Sequence, residues 1–252
     1  MWTPAGLRSN ARPWAADVWR TVEAQYRAST MRLTDSLNEQ ALLEDILERS
    51  KPNFPAECAG LHYLLATPFR YAPYPQGSRF RRAGQPEGAF YSAESIQTAV
   101  AEMCFYRLLF FAEAPGMILP TRPVEHTVFA VACATESSID LREPPFDRDR
   151  RVWEHPTDYA GCQELADLAR SADIQVIRYR SVRDPHEGGN SAVLTAAALA
   201  ERHPKNEQTW HIFPGTYSVR AWCENPALAL EFRPEDFRND PRIVPAIQGS
   251  AT

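Results

Sequence analysis

Two apolar periods alternate along most of the chain, and this alternation limits the folds open to it. From about residue 61, short runs with strand character are separated by runs of helical period. Segments 127–134 and 174–182 have the strand pattern. Segments 95–111 and 158–171 have the helical one, the latter with Cys162, Leu165, Ala166 and Ala169 on its inward side. Further strands are expected at 64–71, 88–91, 209–212, 219–223 and 227–232, and a further helix at 191–202. The connections range from a Pro-rich turn at 72–75 to a charged, proline-bearing loop at 142–157. That is too uneven for a regular doubly wound sheet, so the pattern predicts an α+β domain.

The first 60 residues read differently, as helices at 15–28 and 36–50. In the second, Ser36 and Glu39 form a capping box, and Leu37, Leu42, Leu43, Ile46 and Leu47 make a stripe of helical period. Pro52 and Pro55 end it. The expected organisation is a helical extension over 1–60, one catalytic-sized domain over 61–240 and a frayed tail over 241–252. The extension is either a layer on the main domain or a dimerisation arm. A length of 252 residues allows one large domain or two small ones, with a core that needs no staples.

The charge balance narrows the partners. Asp and Glu number 32 against 27 Lys and Arg, a net charge of −5, which argues against a general binder of nucleic acid or anionic membrane. The five cysteines form no C-x-x-C pair and lie far apart in sequence, so reduced thiols in a cytoplasm are expected, with no disulfide framework and no metal site. Residues 1–14 lack the apolar stretch of a signal peptide, and the longest apolar run, around 103–112, contains Arg107 and is too short to span a bilayer. Of the basic residues only Lys51 and Lys205 are lysine; the rest are arginine. With 11 glycines and only Gly188-Gly189 adjacent, a glycine loop for phosphates has almost nowhere to lie, so arginine forks would have to hold any nucleotide.

The densest candidate stretch is 69–102. It carries Arg70, Arg79, Arg81 and Arg82, Tyr71 and Tyr91, and Glu102 on the following helix. Arginine forks pair bidentately with a diphosphate, tyrosine rings offer stacking faces, and a carboxylate can stabilise a developing sugar cation. A bland reading stands beside this: Arg81 and Arg82 as a solvated face, Glu102 paired with Arg107, and both tyrosines as half-buried strand residues.

Three ordered blocks resemble the RES domain family. They are Phe69-Arg70-Tyr71 with Gly77-Ser78-Arg79-Phe80; Phe90-Tyr91-Ser92-Ala93-Glu94-Ser95 with Thr98-Ala99-Val100-Ala101-Glu102; and Tyr179-Arg180-Ser181-Val182-Arg183 with Gly188-Gly189-Asn190. The match spans about 61–237. The resemblance implies a single domain with a mixed, split sheet similar to the ADP-ribosyltransferase fold. It implies a toxin of a type II toxin–antitoxin pair, with NAD+ as substrate and no prosthetic group. The implied partner is a cognate helix-turn-helix antitoxin. Carried over by position, Arg70 and Arg79 hold NAD+ phosphates and Tyr71 or Tyr91 stacks on the nicotinamide side. Glu102 stabilises the ribosyl cation or engages a ribose hydroxyl, and Ser181 and Asn190 complete the wall. Arg70, Tyr91, Glu102 and Ser181 thus form the catalytic set, and Tyr71, Arg79 and Asn190 the substrate-binding one.

The nicotinamide of NAD+ is already a cationic leaving group, so its expulsion needs no general acid. A carboxylate and rigid placement suffice. Three functions remain open at this point: NAD+ destruction by hydrolysis or phosphorolysis, transfer of ADP-ribose to a protein, and a non-enzymatic binding protein whose arginines form a surface network. His186 is expected at a solvated loop position.

Overall fold

The computed structural model describes residues 2–24, 28–31, 33–70, 75–114 and 116–243. Helix α1 (Pro4–Asn10) opens the chain, capped by Thr3, whose hydroxyl accepts from the Gly6 N–H. Strand β1 (Arg12–Glu23), α2 (Ala28–Met31), α3 (Leu37–Arg49) and α4 (Tyr63–Ala66) follow. Then come β2 (Phe90–Ala93), α5 (Ile96–Ala112) and the long β3 (Val124–Asp140). Helices α6 (Arg150–Trp153) and α7 (Ala160–Ser171) precede β4 (Val176–Arg180) and β5 (Gly189–Val193). The last strands are β6 (Lys205–Pro214), β7 (Val219–Cys223) and β8 (Leu228–Phe232).

Among the described residues the strands form one eight-stranded sheet in the order β1-β2-β5-β4-β3-β6-β7-β8, with β1 also paired to β3. The β3–β4 pair is parallel and the other pairs are antiparallel, so the sheet is mixed. The β1–β3 pairing closes β1, β2, β5, β4 and β3 into a ring, and β6, β7 and β8 continue from β3. Three apolar clusters fill the molecule. Helix α7 covers Ile139, Ile177, Tyr179 and Ala192. Helix α5 covers Trp210, Ile212, Val219 and Ala221. The segment around Leu65 and Phe69 covers Phe90, Phe129 and Val131.

The α+β class, the helix at α5 and the strands β3, β4, β6, β7 and β8 agree with the sequence reading. Ser95 is the α5 N-cap, its hydroxyl accepting from the Thr98 N–H at 3.1 Å. Cys162, Leu165, Ala166 and Ala169 are buried on α7 as expected.

Several expectations are corrected. Residues 12–23 form a strand rather than a helix, because β1 pairs with β3 from Arg12↔Ser138 to Glu23↔His126. The expected strand at 64–71 is helical turn over Tyr63–Ala66 and Thr67–Arg70. The expected helix at 191–202 is β5 and a short turn at Ala196–Ala198, since β5 is held between β2 and β4. The loop at 142–157 contains two short helical segments, Phe146–Asp149 and α6. Helix α3 forms where expected with Ser36 as cap, but Leu37, Leu42, Ile46 and Leu47 are exposed and Gln40 is its buried residue. Ile243 is fully buried with the α5 cluster, so the tail is packed at least that far.

Candidate active site

Glu102 stands on the second turn of α5, facing the end of the β4–β5 hairpin. Its Oε1 accepts from Ser181 Oγ at 2.6 Å and from Asn190 Nδ2 at 2.7 Å. Its Oε2 faces Arg183 Nη1 at 3.5 Å. Ser181 follows β4 and Asn190 lies on β5, opposite Tyr179, so a single hairpin presents both donors. Ser181, Arg183 and Asn190 are buried, while the Glu102 side chain remains 21% exposed. Three side chains therefore hold a carboxylate whose side chain is still partly exposed.

The hairpin is anchored to α5 by Asp184. Its buried carboxylate accepts from Thr98 Oγ1 at 2.7 Å and from the His186 and Gly188 N–H groups at 2.9 and 3.3 Å. A second tie lies beneath. Glu94, at the β2–α5 junction, receives Arg142 and Arg178, and both arginines also pair with Asp140. Burial alone would raise the Asp140 carboxyl, but hydrogen bonds from Arg142 and the charges of Arg142 and Arg178 hold it below the usual range.

The Ser181 hydroxyl donates to Glu102 and accepts the Arg183 N–H at 3.2 Å, so it ties the carboxylate to the residues that follow β4. Asn190 Oδ1 is buried and has no hydrogen-bond partner, so an acceptor remains beside the carboxylate.

The other expected site residues lie elsewhere. Arg70 makes a bidentate pair with Glu48 of α3 at 2.6 and 3.0 Å, with its guanidinium 3.7 Å from the centroid of the Phe54 ring. Arg79 is buried and donates to the carbonyls of Trp153 (2.6 Å) and His155 (3.0 Å), its face over the Tyr159 ring. The Tyr91 hydroxyl accepts the Phe80 N–H at 3.0 Å and shares a 2.8 Å hydrogen bond with Ser78. Burial pushes that hydroxyl above its ordinary range. Tyr71 lies outside the described residues.

The structure thus brings Glu102, Ser181 and Asn190 together. Arg79 reaches them only through Tyr159, whose hydroxyl accepts from Arg183, and no contact joins Arg70 to the cluster. Of the bland alternatives, pairing of Glu102 with Arg107 does not occur, since Arg107 binds Glu23. Arg82 is a surface residue paired with Asp167, whereas Arg81 is buried against the Gln85 and Pro86 carbonyls. His186 is exposed, as expected. Arg183 and Tyr159 were given no role by the sequence; Arg183's place two residues after Ser181 was the available signal.

A family model described as the RES domain matches residues 54–213, well over half of the chain. The chain belongs to the RES domain family. The matched span of this RES domain contains Glu102, Ser181, Arg183 and Asn190. No curated protein matches the chain. A chain of the crystal structure of the M. tuberculosis MbcT–MbcA toxin–antitoxin complex is similar to it at 13% identity, over 93% of this chain and 96% of that one, with a TM-score of 0.42. Among the described residues no group of three or more His, Cys, Asp or Glu side chains could hold a metal ion. None of the described helices is long and apolar enough to cross a membrane.

Proposed function

We propose that this RES domain is the toxin of a toxin–antitoxin pair and that it cleaves the nicotinamide–ribose bond of NAD+. The observation that carries the reading is the Glu102 carboxylate, fixed by Ser181 and Asn190 on a side chain that is still partly exposed. Bond cleavage develops positive charge at the anomeric carbon. A preoriented carboxylate beside it lowers the barrier without having to reorganise. Asn190 Oδ1, an acceptor without a partner, suits a ribose hydroxyl. The nicotinamide departs as a neutral base, so no acid is required. The ring closed by the β1–β3 pairing and the strands continuing beyond it are compatible with a split sheet of the ADP-ribosyltransferase type.

Incubation of the purified chain with NAD+ tests the reading through release of free nicotinamide. Absence of release, with any bound antitoxin removed and protein acceptors supplied, overturns it. Labelled NAD+ in a lysate then assigns the acceptor. Soluble ADP-ribose or its phosphate marks NAD+ destruction, and a labelled protein band marks transfer. A neighbouring reading frame for a helix-turn-helix antitoxin supports the partnership.

The non-enzymatic reading draws on a specific observation. Arg70 and Arg79 spend terminal donors on Glu48 and on backbone carbonyls, rather than converging on Glu102. The same assay separates the two, because a binding protein releases no nicotinamide.

A further inference from the structure

Arg183 connects two elements that the sequence sets far apart. Its Nη1 faces Glu102 Oε2 on α5, and its Nη2 donates to the hydroxyl of Tyr159, the N-cap residue of α7. The guanidinium packs against Phe105 and Tyr106, whose ring centroids lie 4.7 and 4.8 Å from its carbon and meet edge to face. Both rings stand on α5 within four residues of Glu102. A cation buried among rings is screened little by water, so its charge acts on Glu102 more strongly than a surface arginine would. The donors on Oε1, Ser181 and Asn190, are both neutral.

We propose that Arg183 is a positioning residue for Glu102, holding its carboxylate turned toward the substrate. The inference rests on Glu102 being the charge-stabilising group of the proposed reaction. Other polar groups surround the pair. Tyr106 lies on α5, Tyr179 on β4 and Tyr159 on α7, with Arg79 behind Tyr159. The C-terminal turn adds the Asp240–Arg242 pair, with the Arg242 guanidinium carbon 5.7 Å from the centroid of Phe105. Burial pushes the Tyr179 hydroxyl well above its ordinary range, so it stays neutral beside Glu102. Among the described residues, the full positive charge bonded to Glu102 is that of Arg183.

The test is kcat and KM for nicotinamide release by the wild type, Arg183→Gln and Arg183→Lys, with melting curves for each. A misplaced carboxylate costs the reaction step rather than substrate binding, so Arg183→Gln should lower kcat about tenfold or more with KM little changed. Arg183→Lys, which keeps a cation beside Oε2, should recover part of that loss. A folded Arg183→Gln with wild-type kcat overturns the proposal. Should that variant not fold, a Lys variant with a raised KM and unchanged kcat overturns it equally, and one with a lowered kcat and unchanged KM supports it. A crystal structure of the Lys variant reads the orientation of the Glu102 carboxylate without turnover: a displaced carboxylate supports the proposal and an unmoved one overturns it. A wild type that releases no nicotinamide therefore fails the functional reading while the positioning one is still decided.

Discussion

Glu102 accepts from two neutral donors and faces a buried cation, and this determines which substitution isolates its chemistry. Glu102→Ala strips Arg183 of its carboxylate and leaves Ser181 and Asn190 donating to nothing, at a cost of about 1–3 kcal/mol for such buried groups. Glu102→Gln keeps an oxygen acceptor for both donors, removes the charge and turns an amide N–H group toward Arg183. Nicotinamide release by this variant should fall about 10²–10³-fold, as when a preorganised electrostatic contact is lost, with a smaller loss of melting temperature than Glu102→Ala. Full activity in Glu102→Gln would remove Glu102 from the mechanism. Glu102, Ser181 and Asn190 were legible because each sits in a short local block whose strand or helix turns it the same way. Arg70 and Arg79 were equally visible in sequence, but where their forks point depends on Glu48, Trp153 and His155, which local spacing does not reveal.

The β4–β5 hairpin is the element on which the site depends, and Gly188 is its tightest point. A Cβ there would lie 2.0 Å from Thr98 Oγ1 and 2.5 Å from Asp184 Oδ2, the two groups that dock the hairpin on α5. Gly188→Ala should therefore destabilise the fold by about 1–3 kcal/mol and lower nicotinamide release, because Ser181 and Asn190 flank the strained turn. Denaturant unfolding and the release assay measure the two effects. Unchanged unfolding would mean that the loop yields without moving α5. The same element shows why part of the fold escaped the sequence. Residues 191–202 are rich in alanine and leucine, which favours a helix locally, yet Ser191, Ala192 and Val193 are fully buried between β2 and β4. Small side chains fit that crowded central strand, and tertiary pairing overrides propensity. Strand β1 escaped for a related reason, since its partner β3 lies more than a hundred residues away. Helix α5 and strands β6 to β8 were legible because caps, periods and near neighbours in sequence specify them.

Across the whole molecule, the thiols and the titrating groups report how firmly the core excludes water. All five cysteines are free and buried. Burial pushes the Cys58 thiol up to about 11, with Glu57 adding to the effect, and Cys133 up to about 12, with Asp17 adding to it. Iodoacetamide at neutral pH should label none of the five in the folded chain and all of them in denaturant. Rapid labelling of the native protein would show that these clusters open readily.

The acid side of the stability curve has two sources, and they separate by pH. His126 on β3 is fully buried, with Nδ1 against the Val124 carbonyl at 3.0 Å and Nε2 against Arg107 Nη2 at 3.3 Å. Burial holds this imidazole below its ordinary range, and the charge of Arg107 adds to that, so it is neutral in the fold. The unfolded chain takes up a proton at His126 below about pH 6.5, and stability is lost as the pH falls through that region. Glu48 behaves in the opposite chemical sense but with the same direction in pH. Hydrogen bonds from Arg70 and then Lys51 hold its carboxyl down at about 2, so the contribution is present above the unfolded value near 4 and is lost below it. Asp140 and Asp240 add to this lower step, each held below its usual range by a neighbouring arginine despite burial. Melting temperature against pH should therefore be level above about pH 7, decline through the histidine region, and decline again below about pH 4. His126→Asn can still donate to the Val124 carbonyl but does not titrate, so it should flatten the upper step and leave the lower one in place. An upper step that survives in His126→Asn would assign it to another group.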